Sequence, residues 1–280
     1  MSCGSRSPRR SRWSRRPRRS TPSAQGPSAR SPSTAPDPPR PAASGPSRPG
    51  HGRTVAAHHV FPPRAFRRDV TVFGATGAIG SLTVAALLER GHRVTAYARN
   101  PQKVPASWGD RVRVVIGEMS DEEAVDSAVA GADAVVSALG PSMDRKATGL
   151  PLVAGTGHVL NAMKRHGVRR YVGHATPSVL DPRERPTLVT RLIGFMPRTF
   201  MPRAYEEVTG MTDLIMRSGL DWTVVRFTAP KDTAGKGRLR VGFFGTDKLG
   251  FAVSRADIAV FTAAQVDDDA YVGRAPAISN

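Results

Sequence analysis

One segment restricts the fold of this chain more than any other. Residues 70–80 read VTVFGATGAIG, in which a β-branched apolar run ends in three glycines and passes directly into a helix-forming stretch. Glycines at such a joint let backbone N–H groups approach a pyrophosphate, and the amino end of the helix adds a favourable partial charge. The segment therefore predicts a strand, a dinucleotide-binding turn and a helix. The predicted turn consists of Gly74, Ala75, Thr76, Gly77, Ala78, Ile79 and Gly80.

The sequence after the turn supplies the rest of a βαβ unit. Apolar residues at helical spacing occupy 82–88, Gly91 stands at a helix C-cap position, and residues 94–98 (VTAYA) read as a second strand. A glycine-rich joint can also serve only turn geometry or close packing. The helix and strand that follow favour the nucleotide-binding interpretation over this alternative.

The end of the second strand indicates which nucleotide is bound. An acidic residue at this position accepts hydrogen bonds from ribose hydroxyls, whereas an arginine accommodates a 2′-phosphate. This chain has Arg99-Asn100 and no acid there. Since a guanidinium pairs bidentately with phosphate, Arg99 predicts NADP(H) as the cofactor, with Lys103 as a second candidate contact. The alternative is that both cations are solvated loop residues.

Strand and helix patterns then alternate along the chain. Residues 112–116 (VRVVI) read as a third strand, and residues 132–140 (ADAVVSALG) as a fourth strand with its exit loop. Apolar runs without alternation are typical of parallel strands covered by helices on both faces. The predicted fold is therefore α/β, with a doubly wound parallel sheet. Because ligands bind beyond the carboxyl ends of such strands, the predicted cofactor contacts also include Ala138, Leu139 and Gly140.

The glycine spacing and three later motifs resemble one known family. The pattern GxxGxxG in GATGAIG is similar to the extended and atypical short-chain dehydrogenases/reductases, which include NmrA-like and flavin reductase/biliverdin reductase B-like proteins. Residues 218–226 (SGLDWTVVR) resemble the family's SGLDWTxxRP joint. Residues 253–259 (VSRADIA) resemble its ISRADxA helix start, where Ser254 and Asp257 predict a capping box. With the ending at 271–279, the resemblance covers residues 69–280 and implies an NAD(P)-binding Rossmann domain over 67–280.

The resemblance also implies several site residues. Glu118 and Met119 stand where the family usually has an acidic residue beside the adenine. The end of the fifth strand (170–176) and the loop that starts at Thr228 flank the nicotinamide, so Ala175 and Thr228 are predicted cofactor contacts. Classical members have an active-site serine at the end of this strand, where this chain offers His174 and Thr176. One interpretation is that these two side chains hydrogen-bond a carbonyl or the nicotinamide amide. The alternative is that they only shape the pocket.

The proton donor of classical members is missing from this chain. Those enzymes use Tyr-x-x-x-Lys, in which the lysine helps the tyrosine to donate a proton at neutral pH. Here Tyr205 is followed four residues later by Thr209, so Tyr205 is a candidate hydrogen-bond donor without that lysine. The apolar residues Phe200 and Met201, with Met196, are interpreted as core packing, and a pocket for a flat ligand is the alternative.

The resemblance implies an NADPH-dependent reductase that transfers hydride to a conjugated acceptor such as a flavin or a quinone. Such an acceptor delocalises the added charge, so it can be reduced without a strongly activated enzyme acid. Two alternatives remain open. One is an NADP-sensing regulatory protein of the NmrA-like type, which turns nothing over. The other is a nucleic-acid-binding protein that uses its basic tail.

The positive charge of the chain is concentrated near its beginning. The net charge is +18, and residues 1–68 contribute +14 through 15 arginines, no lysine and one acid, Asp37. Residues 1–66, rich in Ser, Pro and Arg, cannot bury enough apolar surface to offset their ordering entropy, so a disordered tail is predicted. The interpretations left open are an arm for nucleic acid or a membrane surface, a transit peptide, an extension without a role, and an over-extended reading frame. The scarcity of aromatic residues argues against base stacking.

The cysteine and histidine content and the lack of long apolar runs limit the chemistry and the cellular location that we expect for this chain. The only cysteine, Cys3, lies in this tail, and the seven histidines form no HxxxH or HxH cluster, so we expect no disulfide, no cysteine chemistry and no metal site. No apolar run reaches the roughly 18 residues of a membrane span. The pairs Arg15-Arg16 and Arg18-Arg19 are similar to a twin-arginine signal, but the apolar region that such a signal needs does not follow them, so we do not expect secretion. We therefore expect a cytoplasmic monomer or homodimer whose partner is a small conjugated acceptor.

Overall fold

The computed structural model describes residues 53–56, 67–142, 148–184, 195 and 198–280. Strands and helices alternate through most of these residues, as the apolar patterns predict. The strands are β1 (Arg53–Ala56), β2 (Asp69–Phe73), β3 (Arg93–Ala98), β4 (Val112–Ile116), β5 (Ala134–Ser137), β6 (Arg170–Ala175), β7 (Asp221–Arg226), β8 (Ala229–Lys231), β9 (Arg238–Gly242), β10 (Ala252–Ser254) and β11 (Ala277–Ser279). The α-helices are α1 (Gly80–Glu89), α2 (Glu122–Val129), α3 (Pro151–Arg165), α4 (Pro202–Met216) and α5 (Arg255–Ala264).

In the described ranges, nine strands form one sheet in the order β1-β9-β11-β7-β6-β5-β2-β3-β4. The six strands from β7 to β4 are all parallel. The chain runs outward from β2 through β3 to β4, then crosses back to β5 and continues through β6 to β7. This reversal confirms the doubly wound fold and puts the topological switch point, where ligands bind in such sheets, between β2 and β5.

The far side of the sheet is completed by strands from distant parts of the chain. Strand β11 lies between β7, to which it is parallel, and β9, to which it is antiparallel. Strand β1 pairs antiparallel with β9, with Arg53 opposite Val241. Strand β1 lies within the range predicted to be a disordered tail, and the rest of residues 1–66 lies outside the described residues. Strands β8 and β10 form a separate parallel pair.

Side chains of the central strands are buried on both faces of the sheet. Val72 packs in the cluster on the side of α1 and α5, with Leu87 and Ile258. The next residue, Phe73, packs in the cluster on the side of α2, α3 and α4, with Met163. Because successive strand residues point to opposite faces, both faces need apolar side chains. This explains why the strands read as continuous apolar runs.

A buried ion pair fixes the segment that follows β6. The Arg226 guanidinium donates to both carboxylate oxygens of Glu184 at 2.7 and 2.8 Å, and to the Val179 carbonyl oxygen at 2.8 Å. Glu184 also accepts the Phe244 N–H at 2.6 Å. One carboxylate therefore connects β7, the segment after β6 and the turn after β9. Removing one partner of such a buried pair is strongly destabilising.

The contact between α1 and the end of β2 requires glycine at position 80. A Cβ atom at Gly80 would lie 2.0 Å from the Gly74 carbonyl oxygen, which belongs to the backbone and cannot rotate away. Gly157 in α3 offers a contrast, since a Cβ atom there meets nothing within 4 Å. Gly80 and Gly157 can therefore be compared as one obstructed and one unobstructed helical glycine.

We predict that Gly80→Ala lowers the free energy of unfolding by about 1–3 kcal/mol or more, because the new methyl group overpacks the turn. Gly157→Ala is expected to raise it by roughly 0.5–1 kcal/mol, as for an unobstructed helical glycine. Urea unfolding followed by circular dichroism measures both changes. Equal effects of the two substitutions would contradict the contact.

Candidate functional site

A cavity of about 540 Å³ opens at the carboxyl ends of the central strands, across the switch point. Residues from the ends of β2, β3, β4 and β5 line it, together with the starts of α3 and α4. The predicted cofactor residues that line this cavity are Gly74, Thr76, Gly77, Arg99, Glu118, Met119, Ala138, Leu139 and Gly140. The structure thus brings together residues from four separate strand ends.

The turn after β2 has the geometry of an anion-binding turn. Gly74 has φ +72°, and a Cβ atom there would meet the Ala138 carbonyl group at 3.0 Å, so the turn lies directly against the loop after β5. The Gly77 N–H donates to the Gly74 carbonyl oxygen at 3.0 Å and closes the turn. The N–H groups of Ala78 and Ile79 donate no hydrogen bond within the described ranges. These two donors at the amino end of α1 are available to a phosphate.

Four residues of the predicted turn do not line the cavity itself. Ala75 and Gly80 are buried beneath the turn, on the side of the core. Ala78 and Ile79 immediately precede α1 and lie beside the cavity lining rather than in it. The Gly77 N–H donates within the turn and is therefore not one of the free donors at this edge.

One end of the cavity carries exposed cations beyond β3. Arg99 is exposed, and it forms no ion pair with any described residue. The Asn100 side chain accepts the Gln102 N–H at 2.9 Å and so starts the short 3₁₀ turn that brings Lys103 to the same cavity. The two cations therefore lie where the sequence predicts a 2′-phosphate contact.

The backbone beside these cations is held by a buried tyrosine. The Tyr97 hydroxyl donates to the Glu118 carbonyl oxygen at 2.7 Å. Burial, with smaller contributions from the carboxylates of Asp121 and Glu118, raises the pKa of Tyr97 to about 12. The hydroxyl is consequently protonated at every physiological pH and keeps the ends of β3 and β4 together.

The predicted catalytic residue His174 lies in the core and away from the cavity. Its Nε2 atom is 2.9 Å from the Thr262 hydroxyl of α5, and its ring packs edge-on against Phe227. Burial lowers the pKa of His174 to about 4, so the imidazole is neutral at physiological pH. Its placement is that of a packing residue and argues against contact with a substrate.

The other predicted residues of the nicotinamide side lie outside the cavity lining. Thr176 is exposed just after β6, with its hydroxyl 2.6 Å from the Ser178 hydroxyl. Ala175 is buried, and Thr228 is exposed after β7. Tyr205 is half-buried in the first turn of α4 and does not line the cavity.

Two residues of α4 that sequence reasoning missed do line the cavity. Arg203 and Glu207 stand four residues apart and therefore share one face of the helix. The Arg203 guanidinium donates to the Ser142 carbonyl oxygen at 3.1 Å. Glu207 accepts the Leu152 N–H, at the start of α3, at 2.9 Å. The four-residue spacing of Arg203 and Glu207 could have indicated a shared helix face. The sequence instead favours Tyr205, which lies between them, as the candidate site residue.

The residues before α4 are not packed in the core. Phe200 is 70% exposed and Met201 is 39% exposed, so the core interpretation of these two side chains is wrong. Met196, named with them, lies outside the described residues. The exposed apolar surface therefore precedes the helix that lines the cavity.

Within residues 67–142, 148–184 and 198–280, no helix combines the length and the hydropathy of a membrane span. No group of three or more His, Cys, Asp or Glu side chains there is arranged to hold a metal ion.

Sequence comparison relates this chain to nucleotide-binding proteins. A family model described as NAD(P)H-binding matches residues 74–269. The chain is 33% identical over 121 residues to the 3-beta-hydroxysteroid dehydrogenase of Mycolicibacterium neoaurum. It is 35% identical over 129 residues to the 3-diazoavenalumate denitrifying reductase of a Streptomyces species. These matches cover 40% and 42% of this chain, and only 32% and 41% of the two relatives.

Structural comparison finds the same fold in solved proteins. A wide-type short-chain dehydrogenase/reductase from Veillonella parvula, solved in complex with NADP, has a TM-score of 0.61 at 19% identity and covers 77% of this chain and 95% of its own. ChuY, an anaerobillin reductase from Escherichia coli O157:H7, has a TM-score of 0.62 at 19% identity and covers 75% and 96%. At this identity the likeness establishes the fold alone.

We predict that His174→Gln leaves nucleotide affinity unchanged but alters the pH dependence of stability. The folded-state pKa of His174, about 4, lies below its ordinary value of 6.5, so the unfolded chain takes up the proton more readily. The wild type should therefore lose stability as pH falls from 6.5 to 4, by about 3 kcal/mol in total, and retain full stability above this window.

Urea unfolding at several pH values between 4 and 7.5 measures this dependence. The variant should show a shallower slope in that window, since glutamine does not titrate. Identical slopes, or a large loss of nucleotide binding, would refute a purely structural role for His174.

Proposed function

Since the chain belongs to the NAD(P)H-binding family, we propose that it is an NADPH-dependent reductase that transfers hydride to a conjugated acceptor such as a flavin or a quinone. The observation that carries this proposal is the cavity at the switch point, with amides at the start of α1 and cations beyond β3. A nucleotide bound across this edge lies between an anion-binding turn and an arginine. The reaction class itself is inferred from the resemblance and from the chemistry of the site.

The preference for NADPH over NADH rests on Arg99. Its guanidinium is exposed and has no partner among the described residues, so it is available for bidentate pairing with a 2′-phosphate. Lys103 adds a second cation at the same end of the cavity.

The proposed acceptor class rests on two features: the lack of a Tyr-x-x-x-Lys proton donor and the exposed apolar side chains before α4. Tyr205 and His174 do not line the described cavity, and no Tyr-x-x-x-Lys pair is present in the sequence. A conjugated ring accepts hydride without a strong enzyme acid because it delocalises the charge, and solvent can supply the proton. The protein then contributes mainly the orientation of the nicotinamide against the acceptor. Exposed Phe200 and Met201 offer an apolar surface for a flat molecule.

A second candidate function is an NADP sensor without turnover. The observation that favours it is the absence of Tyr205, Thr176 and His174 from the described lining of the cavity. A sensor needs saturable nucleotide binding but no group that assists transfer. Binding and turnover must therefore be measured separately.

We expect the purified protein to oxidise NADPH catalytically in the presence of at least one flavin or quinone. Loss of the absorbance of reduced nicotinamide across a panel of such acceptors, compared with the same mixture lacking protein, measures turnover. Saturable NADP binding by calorimetry without turnover on any acceptor would support the sensor instead. Failure of all four pyridine nucleotides to bind would overturn both functions.

We also expect Arg99→Asp to weaken NADPH binding by about 10- to 100-fold and to change NADH binding little, because only NADPH carries the phosphate that the new carboxylate repels. Arg113→Asp is the matched control, since Arg113 is exposed on neighbouring β4 but outside this cavity. Calorimetric titration of both nucleotides gives the two ratios. Equal losses for NADPH and NADH would refute the 2′-phosphate assignment.

A further inference from the structure

Two buried atoms at one end of the cavity lack hydrogen-bond partners. The Glu207 side chain is only 1% exposed, and its Oε1 atom accepts the Leu152 N–H. Its Oε2 atom makes no hydrogen bond, and neither does the buried Nε of Arg203. The Arg203 guanidinium is 3.6 Å from Glu207 Oε2, which is an ion-pair distance rather than a hydrogen bond. Both residues line the cavity.

The free atoms define the chemistry of the group that would satisfy them. Buried polar atoms are nearly always hydrogen-bonded in folded proteins, so an unpartnered carboxylate oxygen facing a cavity indicates a place for a ligand atom. Oε2 of Glu207 can only accept a hydrogen bond, and Nε–H of Arg203 can only donate one. A hydroxyl group serves both at once. An anionic group would be repelled by the carboxylate, and a cationic group by the guanidinium.

The position of the pair along the sheet edge indicates which hydroxyl this is. Arg99 follows β3, Gly74 follows β2, Ser142 follows β5, and the helix with Arg203 and Glu207 follows β6. In the sheet these strands are neighbours in the order β6-β5-β2-β3. A dinucleotide with its 2′-phosphate at Arg99 and its pyrophosphate at the Gly74 turn therefore extends its second ribose toward Arg203 and Glu207.

We propose that Arg203 and Glu207 form a hydroxyl-binding subsite for the ribose on the nicotinamide side of the bound dinucleotide. This inference rests on the proposed function, because it assumes that NADP(H) occupies the cavity. In this subsite Glu207 Oε2 accepts a hydrogen bond from a ribose hydroxyl, and Arg203 Nε donates one to the same oxygen. The bond from Leu152 to Glu207 Oε1, and that from Arg203 to the Ser142 carbonyl, hold both side chains in place.

The test compares two ligands that share the adenosine half. NADP⁺ contains the second ribose, whereas adenosine 2′,5′-bisphosphate lacks it. We expect Glu207→Gln to weaken NADP⁺ by about 10-fold, because the amide can keep an oxygen toward Leu152 but turns an N–H₂ group toward the hydroxyl. The affinity for the bisphosphate should stay within about 2-fold of the wild type. Glu206→Gln, an exposed neighbour on the same helix, should change neither.

A second variant guards against a merely structural effect. Arg203→Lys keeps the positive charge but removes the Nε–H, so it should also weaken NADP⁺ selectively. Thermal unfolding checks that both variants are folded. Calorimetry on the full chain measures all affinities.

The outcomes separate the subsite from the function. If Glu207→Gln weakens both ligands equally, the pair only supports the start of α3 and the subsite is refuted. If it weakens neither, a water molecule satisfies the two atoms and the subsite is likewise refuted, while the NADP(H) assignment stands. If the wild type binds neither ligand, the proposed function itself fails.

Discussion

The close approach of Gly80 to the Gly74 carbonyl oxygen is the constraint on which the site depends. Because no side chain separates them, the amino end of α1 lies directly against the end of β2. The free N–H groups of Ala78 and Ile79 consequently lie beside the switch point. On its other side α1 packs against α5 in the same apolar cluster, so any displacement at Gly80 would be transmitted to the core.

Features encoded by neighbouring residues could be predicted from the sequence. The central strands follow from their apolar runs, and the glycine turn follows from its spacing. The predicted N-cap is also confirmed, since Ser254 Oγ accepts the Asp257 N–H at 3.0 Å. The reciprocal bond of a capping box is not formed, because the Ser254 N–H donates to Asn280 Oδ1 at 2.9 Å. Yet Asp257 Oδ2 additionally accepts the Lys236 N–H and an Asn280 side-chain N–H, bonds to distant segments that no local pattern could indicate.

Which of the predicted residues line the cavity depends on which face of each element meets it. Strand β6 is buried on both sides, so its sequence has no alternation to show that His174 points toward α5. On α4, the positions of Tyr205 and of Arg203 with Glu207 are equally polar in sequence. Only the packing of α4 against α3 turns the latter pair toward the cavity. Long-range packing, rather than local propensity, therefore determines that Arg203 and Glu207 line the cavity.

The place of β11 between β7 and β9 bears on how the protein matures during translation. Strands β7 and β9 emerge from the ribosome well before residues 277–279, and neither can pair with the other across the gap that β11 fills. Until then both present open edges, which invite pairing with other nascent chains. The nucleotide-binding half, from β2 to β6, needs none of these late residues for its parallel ladder. A slow or stalled ribosome would therefore prolong the exposure of the unpaired edges of β7 and β9.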